Sequence, residues 1–367
     1  MKQPHRIASL LPALGVILFA AGCERPPPDT LQQGFRGTGM VAVTNPRLAA
    51  ARAAIDVVPA AQPPLVPVEG TPLAKDVYQN VQVLTDLDVA EFTRLMLAMT
   101  QWVSPEQGCG YCHNEANHAE DAKYTKIVAR RMLQMTRHVN MQWGSHVKET
   151  GVTCYTCHRG QPVPANVWFA DPGPRTARGM AGNRARQNAP AESVRLASLP
   201  YDPFTPFLLQ DQPIRVESTN ALPNGSNPAN IMAAEWTYGL MMHMSDGLGV
   251  NCTHCHNTQH FASWDGAPPA RVTAWHGIRM VRALNNDYVV PLQDRFPANR
   301  LGPMGDVAKV NCATCHHNAA KPLNGQSMLG DYPELARIKP PPPPPVEQVP
   351  ADAPLAEAVA GPAAGAM

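Results

Sequence analysis

The sequence predicts a mainly α-helical chain with extensive irregular loops, divided into two halves that each hold two helix–turn–Cys-x-x-Cys-His units. Three observations predict it. The five-residue pattern occurs four times, at Cys109–His113, Cys154–His158, Cys252–His256 and Cys312–His316. Segments of helical period carrying paired methionines precede the motifs: Arg94-x-Met96-x-x-Met99-Thr100 matches Arg130-x-Met132-x-x-Met135-Thr136, and Met241-x-x-Met244-Ser245 keeps the end of the pattern. The first cysteines of successive motifs lie 45, 98 and 60 residues apart, which puts a long connector between the second and third.

Cys-x-x-Cys-His is the signature of covalent c-type haem attachment. Two thiols one turn apart can form thioethers to one haem, and the next imidazole then reaches the iron from the same side. Zinc sites do not require a histidine directly after each cysteine pair, and a redox dithiol would occur once, on a βαβ scaffold. Four motifs use eight of the nine cysteines: Cys109, Cys112, Cys154, Cys157, Cys252, Cys255, Cys312 and Cys315, with His113, His158, His256 and His316 as proximal ligands. The reading is a multihaem cytochrome c with four covalent haems. Composition agrees, because 39 prolines and 6% aromatic residues are poor material for a conventional core. Four flat apolar macrocycles would supply much of the missing interior. With 30 basic and 29 acidic residues, net charge gives no reason to expect a nucleic-acid partner.

Taken in order, residues 1–22 read as a signal peptide, with a basic start (Lys2, Arg6), an apolar stretch and small residues before Cys23. A cysteine directly after Ala21-Gly22 resembles a bacterial lipoprotein signal, so Cys23 is expected to carry the lipid. A diacylglycerol supplies two chains, enough for stable anchoring. Residues 23–75, rich in Pro, Ala and Gly, read as an extended arm laid over a partner or over the body. An N-terminal half follows at 76–165, with helices over Val89–Val103 and Tyr124–Val139 and a short helical stretch at Trp143–Val147. Residues 166–228 form a connecting segment, with short strands expected near Ile214–Glu217. The C-terminal half at 229–335 has helices over Asn230–Ser245 and Thr273–Leu284, then a long loop from Asn285 to Val310. Residues 336–367 form a Pro/Ala-rich tail of polyproline or disordered character.

Methionine opposite histidine leaves the iron no open position and raises its potential relative to a second histidine. Met96 lies 17 residues before His113 and Met241 lies 15 before His256. For the second haem, Met132 and Met141 both qualify; the repeat register favours Met132, the spacing Met141. For the fourth, Met304 sits in a turn sequence and Met280 lacks the paired register.

Four such motifs, Ala129-Arg-Arg-Met-Leu133, Gly151-Val-Thr-Cys-Tyr-Thr-Cys-His-Arg-Gly160 and Trp275-x-Gly-Ile-Arg-Met-Val-Arg282 resemble the tetrahaem cytochrome subunit of the purple bacterial photosynthetic reaction centre. The resemblance runs from about Cys23 to Leu335. It implies an electron carrier rather than an enzyme, with three Met/His haems and one bis-His haem. Its methionine ligands fall on Met96, Met132 and Met241, and its second histidine falls on His146, serving the fourth haem. It further implies docking on the reaction-centre subunits that hold the bacteriochlorophyll special pair. The electrons would come from a soluble periplasmic donor, a small cytochrome c or a high-potential iron–sulfur protein. The implied location is the periplasmic face of the inner, photosynthetic membrane. The alternative is a membrane-anchored multihaem cytochrome serving a respiratory reductase. His254 and His317 read as surface groups, and His138, His243, His260 and His276 as structural. Arg271 is a candidate partner for a haem propionate, with a solvated helix face as the plainer reading.

Overall fold

The computed structural model describes residues 27–32, 40–66, 68–171, 191–216 and 230–337; the predicted signal, Cys23 and all but two residues of the tail lie outside them. It is mainly helical. The one sheet among the described residues is a two-stranded antiparallel ribbon, β1 (Asp29–Gln32) on β2 (Val41–Thr44).

The arm is not wholly extended, because it contains α1 (Pro46–Ile55). Asn45 caps that helix by accepting from the Arg47 and Leu48 amides, Pro46 occupies the first turn, and the alanine-rich sequence has high helical propensity without any apolar stripe to reveal it. The arm lies on the body. The Tyr332 hydroxyl accepts from the Gln62 amide (2.9 Å), Arg94 donates to the Gln62 and Pro63 carbonyls, and the Tyr155 hydroxyl donates to the Val57 carbonyl.

α2 (Val89–Val103) has the predicted bounds. Asp88 and Glu91 close it with a capping box, and it buries Leu95, Ala98 and Trp102. α3 (Tyr124–Gln142) runs three residues further than predicted, with Trp143 as its C-cap, and a single turn at Gly144–Val147 follows. α4 (Ile231–Leu248) begins after the Asn230 cap and ends where Gly249 takes a left-handed φ of 65°. α5 (Ala270–Leu284) starts three residues early because Pro268 and Pro269 suit a helix entrance. The predicted loop after it carries tight turns at Asn285–Val289, Val290–Arg295 and Ala298–Arg300. Ile214–Val216 carries no strand, and Glu217 is outside the described residues. The connector instead folds Thr205–Leu209 into a turn that buries Phe207 and Leu208.

Two apolar clusters form the interior, one around Leu95, Trp102, Leu133 and Tyr332, the other around Val139, Trp168, Phe207, Leu240 and Ile278. Their surroundings make matching contacts at an offset of 145 residues. In α3, Arg137 Nε donates to the Glu334 carbonyl (3.0 Å) and its guanidinium pairs with Asp86. In α5, Arg282 Nε donates to the Phe207 carbonyl (3.0 Å) and pairs with Asp211. Asn140 bridges both backbone groups of Val152 and the Leu335 carbonyl, and Asn285 does the same with Val310 and the Leu208 carbonyl. Beyond the second motif the Gly160 amide donates to the Trp102 carbonyl at the end of α2; beyond the fourth, the Asn318 amide donates to the Gly247 carbonyl at the end of α4. The segment that follows the last motif of each half thus packs on the second helix of the other.

Candidate functional site: four histidine-bearing turns

The motifs fall into two geometric kinds. The first and third are tight turns, Gly108–Tyr111 and Cys252–His254, in which the amide of the motif histidine (His113, His256) donates to the carbonyl of the first cysteine at 2.9 Å. The second and fourth, Cys154–His158 and Cys312–His316, are single α-turns. Thr153 pairs with Thr156, and Asn311 with Thr314, to close their starts, and a left-handed residue (Arg159, His317) ends each.

All four histidines are oriented alike. Nδ1 lies against a backbone carbonyl: His118 for His113 (3.1 Å), Gln161 for His158 (2.8 Å), Phe261 for His256 (2.8 Å) and Ala319 for His316 (2.9 Å). A carbonyl can only accept, so Nδ1 carries the proton and Nε2 keeps its lone pair for a metal. Burial lowers the pKa of His113, His158 and His256 and brings His316 down to about 4, which keeps the rings neutral, the form that ligates.

One of these carbonyls, and the loop that supplies a second, are themselves held in place. Lys126, in the first turn of α3, donates to the carbonyls of His118, Ala119 and Glu120 at 2.8–2.9 Å. Arg271, at the same register of α5, donates to the Ser263 and Ala262 carbonyls beside Phe261 and lies over the Trp264 ring. Arg271 is therefore more than a solvated helix face, with two of its five N–H donors bonded within the loop. Lys126, Arg137, Asn140, Arg282 and Asn285 were not singled out in the sequence; the 145-residue offset was the signal that could have found them.

The cysteines do not have the character of a redox dithiol, which needs a depressed thiol pKa. Burial raises Cys112, takes Cys255 to about 11, and takes Cys154 and Cys312 to about 12. Among the described residues no cluster of three or more His, Cys, Asp or Glu is arranged to hold a bare metal ion. The second and fourth motifs touch: Cys157 and Cys315 lie side by side, their Cα atoms 4.5 Å apart.

The other predicted ligands are placed as follows. Met96 and Met241 are half-buried against the first and second apolar clusters respectively, and Met132 is half-buried on α3. Thr100 and Thr136 each donate to the carbonyl of the methionine four residues earlier, Met96 and Met132, at 2.9 Å. Met141 is 43% exposed near the end of α3, and Met304 is exposed too. Met280 is buried in the second cluster. His146, on the turn after α3, reaches across to the other half, where its Nδ1 donates to the Thr273 carbonyl of α5 (2.9 Å). Its ring centre lies 6.0 Å from that of His316. An imidazole nitrogen sits about 2 Å from a first-row metal and the ring centre about 1 Å behind it, so two axial imidazoles put their ring centres about 6 Å apart. The separation of His146 and His316 matches that spacing.

Two other histidines are not the surface groups expected. His254 is half-buried, and His317 turns a buried Nε2 inward, near the ion pair of Asp56 with Arg159.

Repeated Cys-x-x-Cys-His turns, each with an oriented neutral imidazole, define a c-type cytochrome. Comparison with known proteins gives the family. The model of the photosynthetic reaction centre cytochrome C subunit matches residues 24–336. The chain is 54% identical to the photosynthetic reaction center cytochrome c subunit of Rubrivivax gelatinosus over 91% of both chains. It is 51% identical to that of Thermochromatium tepidum, over 89% of this chain and 80% of the relative. For Roseobacter denitrificans the identity is 40%, over 91% and 94%. The chain belongs to the photosynthetic reaction centre cytochrome c subunit family. It is an electron-transfer subunit carrying covalently bound c-type haem, and the respiratory-reductase alternative is not favoured. Among the described residues no helix is long and apolar enough to cross a membrane.

Proposed function

We propose that this subunit holds four haems in two di-haem halves and re-reduces the photo-oxidised special pair with electrons from a soluble periplasmic donor. The observation that carries the count is that all four motif histidines donate from Nδ1 to a carbonyl, leaving four Nε2 atoms poised alike. When bound, each haem would supply a one-electron carrier whose six-coordinate iron offers no position to a substrate. The cysteine pairs fix each macrocycle, and the proximal histidines fix the iron. Met96, Met132 and Met241 are the distal ligands of the first three sites. The exposure of Met141 supports Met132 over it for the second. His146 is the distal ligand of the fourth, supported by the 6.0 Å separation from His316. The matching contacts of α3 and α5 support the two halves. Docking on the reaction-centre subunits that hold the special pair, and a lipid on Cys23 at the periplasmic face of the membrane, complete the proposal.

Flash excitation of membranes tests it. The haem α-band should bleach as the special pair recovers, and reduced protein should bind almost no carbon monoxide. Recovery of the special pair with the haems still reduced would overturn the reading. Met132→Leu should perturb one haem spectrum and Met141→Leu none; the reverse result would reassign the second site.

A further inference from the structure

In α2, α3 and α4 the proposed distal methionine is followed three residues later by a second, packing methionine: Met96 and Met99, Met132 and Met135, Met241 and Met244. The 145-residue offset that relates Lys126 to Arg271, Arg137 to Arg282 and Asn140 to Asn285 also relates Met96 to Met241 and Met135 to Met280. Applied to Met132 it falls on Gly277. The helix that precedes the fourth motif therefore keeps its packing methionine and lacks the ligand, with a buried glycine in its place.

Nothing in the backbone calls for that glycine. Gly277 lies inside α5 and is not among the glycines of positive φ, and a glycine in a helix interior is less stable than alanine. The space beside it supplies a reason. A Cβ on Gly277 would lie 2.5 Å from Cε1, 2.9 Å from Nδ1 and 3.2 Å from Nε2 of His146. The imidazole lies flush against the glycine, and the Thr273 carbonyl one turn earlier in the same helix holds its Nδ1. Carbon atoms in contact need about 3.5 Å, so even a methyl group would displace the ring.

We propose that Gly277 is the positioning residue that selects the distal ligand of the fourth site: by replacing the methionine of its own helix it opens the space through which His146 enters from the other half. This rests on the proposed ligation of the fourth site by His146.

The test uses the purified holoprotein, with low-temperature electron paramagnetic resonance to separate bis-His from Met/His haem and a redox titration to separate the four potentials. Gly277→Ala should abolish the bis-His signal and leave the three Met/His signals in place. Gly277→Met combined with His146→Gly exchanges the volumes; it should load four haems, show a fourth Met/His signal, and shift one potential upward. If Gly277→Met alone loses the haem at Cys312 and Cys315, the His146→Gly exchange should restore it. A bis-His signal unchanged in Gly277→Ala, or no restoration in the exchange variant, overturns the proposal. His146→Ala separates the two ideas. Loss of the bis-His signal there, with Gly277→Ala silent, sinks the role of Gly277 alone. An unchanged signal in His146→Ala removes the ligation and the role of Gly277 with it.

Discussion

α3 and α5 hold the same frame and carry different ligands. Each has a basic residue in its first turn tying down the loop after the preceding motif, an arginine whose Nε donates to a carbonyl from the segment following the last motif of the other half, and an asparagine fastening the backbone two residues before the next motif. Yet α3 presents Met132 where α5 has Gly277. The contacts that hold the motif turn are repeated, while the position proposed for the distal ligand has diverged. The frame is made by side chains other than Met132 and Gly277, so the exchange at that position leaves its hydrogen bonds in place.

The comparison is sharpened by breaking the frame at equivalent points. The largest effect is expected at Arg137. Its pair with Asp86 is buried, the two side chains 9% and 8% exposed, whereas Arg282 pairs with an Asp211 that is 85% exposed. Arg137→Met should cost about 3–5 kcal/mol, the usual result of removing one partner of a buried pair. Thermal unfolding of the holoprotein measures it. Next comes Asn285→Leu, which leaves the part-buried Val310 amide and the buried Leu208 carbonyl without their side-chain partner, the Val310 carbonyl keeping Trp168 Nε1, and should cost about 2 kcal/mol. Its damage should appear first as lost haem at Cys312 and Cys315, while Asn140→Leu should lose it at Cys154 and Cys157; mass spectrometry of haem peptides separates the two. Smallest is Arg282→Met, expected to cost about 1 kcal/mol or less because its partner is solvated. Equal costs for Arg137→Met and Arg282→Met would mean that the buried pair does not distinguish the halves.

How much of this was legible in the sequence follows from how local each signal is. The motifs, the paired methionines and the helix from Val89 to Val103 rest on spacings within one or two turns, and their placement needed no tertiary information. α1 was missed because its alanine-rich turn has no apolar stripe. The burial of Phe207 and Leu208 under α5, and of Glu334 and Leu335 under α3, is a contact between halves that no local pattern encodes. Strands were expected near Ile214–Glu217, where Ile214–Val216 form none. His146 was named from the resemblance. The space its ring occupies against Gly277 appears only when α5 is laid beside it.

The central claim is that the fourth site takes its distal ligand from the other half and the second site from its own helix. A redox titration of the His146→Met holoprotein, followed in the α-band of each haem, tests it most directly. The account predicts that the potential of the haem attached at Cys312 and Cys315 rises, since methionine raises a haem potential relative to histidine, while the other three stay where they were. A shift of the haem attached at Cys154 and Cys157 instead would contradict it.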